Sequence, residues 1–158
     1  MRKYRRNHVL IVVDLQRALE VPPRMAKRIE RYARRFSRRA FTRFINPRGS
    51  PFRRELHQHC CLPGTPDAEL LLPAGPDDLV FSKRGYGLSP SQIARLRKHG
   101  VTRATVCGVD TDACVLGVMF SLFDAGIPCH ARPELCWSSN GLHAAAVRLM
   151  RQQFPPFA

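Results

Sequence analysis

The chain has 158 residues, is 44% hydrophobic and carries a formal charge of +14. That length suits one domain, residues 1–158, with one core. No apolar run approaches the roughly 18 residues of a membrane span, which excludes a helical membrane protein.

The N-terminus, "MRKYRRNHVLIVVDLQ", has a basic start followed by a five-residue apolar run at 9–13. A secretory leader needs a longer run and a small-residue cleavage site, whereas this run stops at Asp14. "HVLIVV" (8–13) therefore reads as a buried first strand in a cytoplasmic protein. Pro22 and Pro23 open a helix at about 24–36, and Met25, Ile29, Tyr32, Ala33 and Phe36 fall on one side of it. The basic charge concentrates in this part of the chain. Residues 1–59 hold 15 Arg and 2 Lys against 4 acids, and residues 60–158 hold 7 Arg and 2 Lys against 8 acids. A basic half attracts polyanions, nucleic acid among them. A helix that needs its apolar stripe for the core is less free to be a binding arm, so a solvated basic face with weak, non-specific polyanion binding is expected.

"AFTRFI" (40–45) reads as the second strand. Residues 46–78 contain six prolines and three glycines, a long loop with room for one turn of helix. Within it, "ELHQHCC" offers His57, His59, Cys60 and Cys61. These are metal-ligand types, but they lack zinc-finger spacing and no second pair follows, so a plain loop is expected. "LVFSK" (79–83) is a third strand. "SPSQIARLRKHG" is a punctuated helix with Ser89 as N-cap, Pro90 in first position and Gly100 at its end. "RATVCGV" (103–109) is strand four, residues 111–125 a helix stopped by Gly126, "IPCHAR" (127–132) strand five, and 140–154 a last helix ended by Pro155 and Pro156. Among the six cysteines, Cys107 and Cys129 sit in apolar runs, where free cysteine acts as a small hydrophobe. Reduced thiols are expected.

Strand–helix alternation predicts a three-layer α/β/α domain with a mostly parallel, five- or six-stranded Rossmann-like sheet. In such sheets ligands bind beyond the carboxyl ends of the strands. The polar residues there are Asp14, Asn46, Lys83, the stretch from Asp110 to Cys114, then Ser138 and Ser139. Asp14, Lys83 and Cys114 should converge on one edge. Cys114 would lie in the first turn of a helix, whose partial positive charge favours a thiolate and whose free amides can hold an oxyanion. Such a thiol should alkylate faster than the other five near neutral pH. Asp14 can accept the thiol proton and pass it to a leaving group. Lys83 adds a compact positive charge in a chain that uses 22 Arg and only 4 Lys. Nucleophile, base and electrostatic helper make an acyl-transfer set.

Three segments carry a resemblance: "VVDLQ" with Asp14 and Gln16, "FSKRGYG" with Lys83, and "CGVDTDACVLGVMFSLFDAG" with Cys114. The sequence resembles the isochorismatase-like cysteine hydrolases, a family that includes nicotinamidases and other amidases. The resemblance implies a triad of Asp14, Lys83 and Cys114. It also implies a non-proline cis peptide at Val109–Asp110, which would aim the Asp110 amide, with that of Cys114, at the oxyanion. The substrate it implies is a small amide, cleaved at its C–N bond through a thioester, and the assembly it implies is a homo-oligomer. Nicotinamidases carry an Asp-x-His metal motif after strand two. The positions that align here are Phe44 and Asn46, so no metal of that type and no cofactor are expected. Two rival readings stand beside this one. A basic α/β protein could bind nucleic acid, or cut it with a metal held by Asp14, Asp110 and Asp112. A degenerate family member could serve only as a binding partner.

Overall fold

The structure, a computed structural model, describes residues 6–154. The basic residues at 1–5 and the terminating prolines 155 and 156 lie outside the described residues. All six residues of β1 (His8–Val13) are buried, as expected for a strand covered on both faces. It lies at the centre of a five-stranded sheet of order β3-β2-β1-β4-β5. The other strands are β2 (Arg39–Phe44), β3 (Leu79–Lys83), β4 (Arg103–Val109) and β5 (Cys129–Trp137), and every pairing is parallel. The predicted single-domain α/β architecture is the one observed.

The helices are α1 (Pro23–Ala33), α2 (Pro51–Arg54), α3 (Pro90–Lys98), α4 (Leu116–Asp124) and α5 (His143–Gln153). From β1 the chain steps outward through β2 to β3, then returns to β4 and steps the other way to β5. Right-handed crossovers in opposite directions put α1 on one face of the sheet and α3 with α4 on the other. On that second face Leu88 N–H donates to Ser121 Oγ at 3.0 Å, and the Arg97 guanidinium reaches the Ala125 carbonyl. On the first, the Arg132 guanidinium of β5 lies 5.2 Å from the Tyr32 ring centroid of α1. The strand order reverses between β1 and β4, which opens a crevice at their carboxyl ends.

Local chemistry explains most of the element boundaries. Ser89 caps α3 by accepting from Gln92 N–H, while the Gln92 side chain accepts from Ser89 N–H, a complete capping box. Strand five runs on to Trp137, five residues past the expected end. Its register against β4 shifts between Val106 and Gly108. An edge strand tolerates Pro133 and Glu134, because one side of its ladder faces no partner. The loop at 46–78 holds α2 and a 3₁₀ turn at Pro66–Ala68. A small second core of Phe44, Phe52, Cys61 and Ala68 anchors it. No helix among the described residues is long and apolar enough to cross a membrane.

Candidate active site

Asp14 follows β1 immediately and is wholly buried. Its backbone has φ of +46°, a left-handed conformation that aspartate tolerates better than most residues. Its amide donates to Thr42 Oγ1 at 3.1 Å, and the Thr42 hydroxyl donates back to Asp14 Oδ1 at 2.6 Å. The other carboxylate oxygen, Oδ2, lies 2.6 Å from Lys83 Nζ. Lys83 closes β3, is 3% exposed, and donates to the Gly85 carbonyl at 2.9 Å. Its ammonium also stands 5.5 Å from the Phe44 ring centroid. Burial works to lower the Lys83 pKa, but Asp14 and Cys114 outweigh it and hold the ammonium above its ordinary value. Removing either Asp14 or Lys83 would leave the other as an uncompensated buried charge, which costs about 3–5 kcal/mol.

The Cys114 side chain lies close enough to Asp14 and Lys83 for both charges to act on its thiol. The structure thus brings together the three residues that the strand-end argument singled out. It corrects what was expected of the thiol. Burial, with the Asp14 carboxylate alongside, pushes the Cys114 pKa up to about 12, and Lys83 only partly opposes this. Lys83 is already neutralised by Asp14, so a thiolate would add net negative charge to a dry site. These surroundings favour the neutral thiol of Cys114. The helix that carries it is also unlike the expected one, because its first turn, Thr111–Val115, is a π-helix. The Thr111 hydroxyl bonds His143 Nδ1 at 2.9 Å.

The more acidic thiol is Cys60, half-buried in the 46–78 loop. A hydrogen bond from the neighbouring Cys61 thiol, itself pushed up, lowers Cys60 to about 7. Limited alkylation near neutral pH should therefore label Cys60 ahead of Cys114, because the thiolate is the reacting species. Peptide mapping by mass spectrometry reads the order directly. Cys114 labelling first would mean that the helix terminus overrides burial.

The Val109–Asp110 peptide is cis, as the resemblance implies. The Asp110 carboxylate accepts from Ser139 N–H at 3.0 Å and from Ser139 Oγ at 3.2 Å. Asp112 accepts from Asn140 Nδ2 at 2.9 Å. With Asp14 committed to Thr42 and Lys83, the three aspartates of the nuclease reading do not share a site. Among the described residues no group of three His, Cys, Asp or Glu is placed to hold a metal ion. His57 and His59 are exposed in their loop. At the position of the nicotinamidase metal motif, Phe44 offers no ligand atom. Asn46 is buried, donating to the Gln58 and Cys60 carbonyls at 3.0 and 3.1 Å and accepting from Ser50. These residues do not fit that metal.

Thr42 and Gln16 are the supports that the sequence did not single out by role. Gln16 Nε2 donates to the Phe44 and Ala68 carbonyls, both at 2.9 Å, and its Oε1 accepts from Phe44 N–H at 2.8 Å. It ties the end of β2 to the 66–68 turn just behind Asp14.

A family model described as the isochorismatase domain matches residues 8–158. The chain belongs to the isochorismatase family. Among solved structures, this family member resembles the pyrazinamidase of Pyrococcus horikoshii, solved in complex with zinc. The TM-score is 0.84 and the identity 25%, over 92% of this chain and 95% of that one. A nicotinamidase/pyrazinamidase of Acinetobacter baumanii gives a TM-score of 0.81 at 21% identity, over 96% and 95%. An isochorismatase-like hydrolase of Alkaliphilus metalliredigens gives 0.82 at 13%, over 94% and 92%. No curated protein sequence matches the chain. The isochorismatase-like hydrolase fold therefore spans essentially all the described residues.

Proposed function

We propose that this isochorismatase-family protein is a cysteine amidase that cleaves a C–N bond in a small amide. The observation that carries this is the buried Asp14–Lys83 ion pair, 2.6 Å long, with the Cys114 thiol against both of its members. A thiol beside a fixed carboxylate and a fixed ammonium is equipped to form and break an acyl bond.

In this mechanism, Cys114 Sγ attacks the amide carbonyl carbon as its proton passes to Asp14. Because the resting thiol is neutral, proton transfer and C–S bond formation go together. The carbonyl π pair moves onto oxygen, and the backbone amides of Asp110 and Cys114 receive the resulting oxyanion. Collapse expels the amine or ammonia, which takes the proton from Asp14. Water then attacks the thioester while Asp14 accepts its proton; the C–S bond breaks, Asp14 returns that proton to Cys114 Sγ, and the carboxylic acid leaves. Lys83 stays charged throughout. It holds the carboxylate in place and offsets the negative charge that develops beside it.

A panel of small amides with ammonia detection, combined with intact-mass trapping of the thioester, tests this reading. A substrate should release ammonia and acid in equal amounts, and quenched reactions should show an acyl adduct on the Cys114 peptide. Turnover with no adduct, and none on rapid quenching, would sink covalent catalysis by this thiol.

Lys83→Arg should keep the charge and lose the geometry. A planar guanidinium cannot replace a compact ammonium at a position that is 3% exposed. Turnover should fall by about a hundredfold, the scale of a misplacement near 1 Å at a reacting centre. Steady-state kinetics at matched pH check this. Unchanged kcat would remove Lys83 from the mechanism.

A further inference from the structure

Three consecutive residues at the nucleophile turn are tied by their side chains to the segment that joins β5 to α5. The Asp110 carboxylate accepts from Ser139, and Asp112 accepts from Asn140 Nδ2 at 2.9 Å. Between them, the Thr111 hydroxyl shares a hydrogen bond with His143 Nδ1, also at 2.9 Å. We propose that in the amidase reaction outlined above, on which this rests, His143 is a positioning residue: through Thr111 it holds the backbone amides of Asp110 and Cys114 where the oxyanion forms.

The three ties are unequal. Ser139 and Asn140 are exposed, so water competes with them for Asp110 and Asp112. A hydrogen bond with that alternative adds little. Thr111 is wholly buried, and a buried hydroxyl that loses its partner cannot turn to solvent instead. The His143 tie is therefore the one that fixes the turn. It comes from a firm support. His143 opens α5, whose Ala146, Val147 and Met150 are buried, and α5 packs against the turn. The imidazole thus rides on a packed helix rather than on the exposed residues before it. At the other end of the tie, Thr111 begins the π-helical turn and follows Asp110 directly. The Asp110 carbonyl accepts from Ala113 N–H at 3.2 Å and from Val115 N–H at 3.0 Å, so the backbone on either side of Cys114 closes onto Asp110. Anchoring Thr111 fixes both amides together.

The geometry of the ring sets the variants. Asn places an amide atom where Nδ1 stands, whereas Gln reaches to where Nε2 stands. His143→Asn should keep the tie, His143→Gln and His143→Ala should lose it, and Thr111→Val removes it from the other end. The probe is p-nitrophenyl acetate. Cys114 Sγ takes its acetyl group, p-nitrophenolate leaves, and the thiol proton passes to Asp14; the addition passes through an oxyanion. Iodoacetamide alkylates the same sulfur by displacing iodide and forms no oxyanion. The three variants that lose the tie should slow acylation of Cys114 about tenfold to a hundredfold, the scale of misplaced donors. Their Cys114 alkylation should stay within about twofold, because the thiolate fraction is untouched. His143→Asn should retain most of the acylation rate. Hydrogen exchange over residues 109–116 should quicken in the same three variants and not in His143→Asn. Acylation and alkylation that fall together would mean a disturbed thiol or fold, and the positioning role would be wrong. An unmodified protein that the ester does not acylate at Cys114 counts against the amidase reading instead, and hydrogen exchange then decides whether His143 holds the turn. Exchange in the turn that is indifferent to His143 overturns the proposal whatever the ester shows.

Discussion

Cys114→Ala should reduce turnover by on the order of a thousandfold or more while leaving the fold intact. The magnitude is that of removing a covalent nucleophile whose neighbours remain in place. The fold should survive because the change is local. Cys114 is only partly buried against the core, and Asp14 keeps both Thr42 and Lys83 as partners. Thermal unfolding should shift by no more than a few degrees, and substrate affinity should persist. The informative control is Cys60→Ser. Cys60 is the more readily ionised thiol, with its pKa lowered to about 7 by its hydrogen bond from Cys61. It has no ion pair of its own to carry a proton or to balance an oxyanion. Its substitution should leave turnover near normal, although it should remove the fastest alkylation. If Cys60→Ser were the inactive variant and Cys114→Ala the active one, the nucleophile would have been assigned to the wrong thiol.

The pairing of those two cysteines shows where sequence reasoning stops. Asp14, Lys83 and Cys114 were legible because each ends or follows a strand, and a parallel sheet gathers its strand ends. Position within a topology is a property that a sequence carries. The acidity of a thiol is not, because it depends on which side chains crowd it. A helix start argues for a thiolate at Cys114, yet burial, with the Asp14 carboxylate alongside, argues more strongly against one. The same limit hid Thr42. In "AFTRF" it reads as an ordinary β-branched strand residue, and only its place opposite Asp14 makes its hydroxyl a carboxylate anchor. A wholly buried threonine on the inward face of an apolar strand was the available signal. Strand five reads from sequence as 127–132, whereas the edge strand carries Pro133 without breaking and runs on to Trp137. The π-turn at Thr111–Val115 leaves no mark in composition.

Gly108→Ala should be the most disruptive single-atom-scale change in the chain. Gly108 lies in β4, beside β1, and is paired with Val13. Its φ is +123°, a region that L side chains rarely enter. A methyl group there would drive into the backbone of Val13: its carbonyl oxygen is the nearest atom, with Val13 N at 2.7 Å and Val13 C at 2.9 Å. Backbone at the centre of a sheet cannot swing aside as a side-chain tip can. Relief requires separating β1 from β4, and Asp14 follows directly after Val13. The substitution should therefore cost about 3 kcal/mol or more in stability, combining a forbidden backbone angle with overpacking. It should also displace Asp14 from Cys114. Denaturant unfolding gives the first quantity and turnover of the remaining folded fraction gives the second. Activity should fall beyond what the lost folded population explains, because Asp14 follows β1 and Cys114 lies in the turn that follows β4, so the spacing of those two strands sets the distance between them. A stable, fully active Gly108→Ala protein would mean that the two strands can part without disturbing the pair, and the close β1–β4 approach would then have no part in placing Asp14 against Cys114.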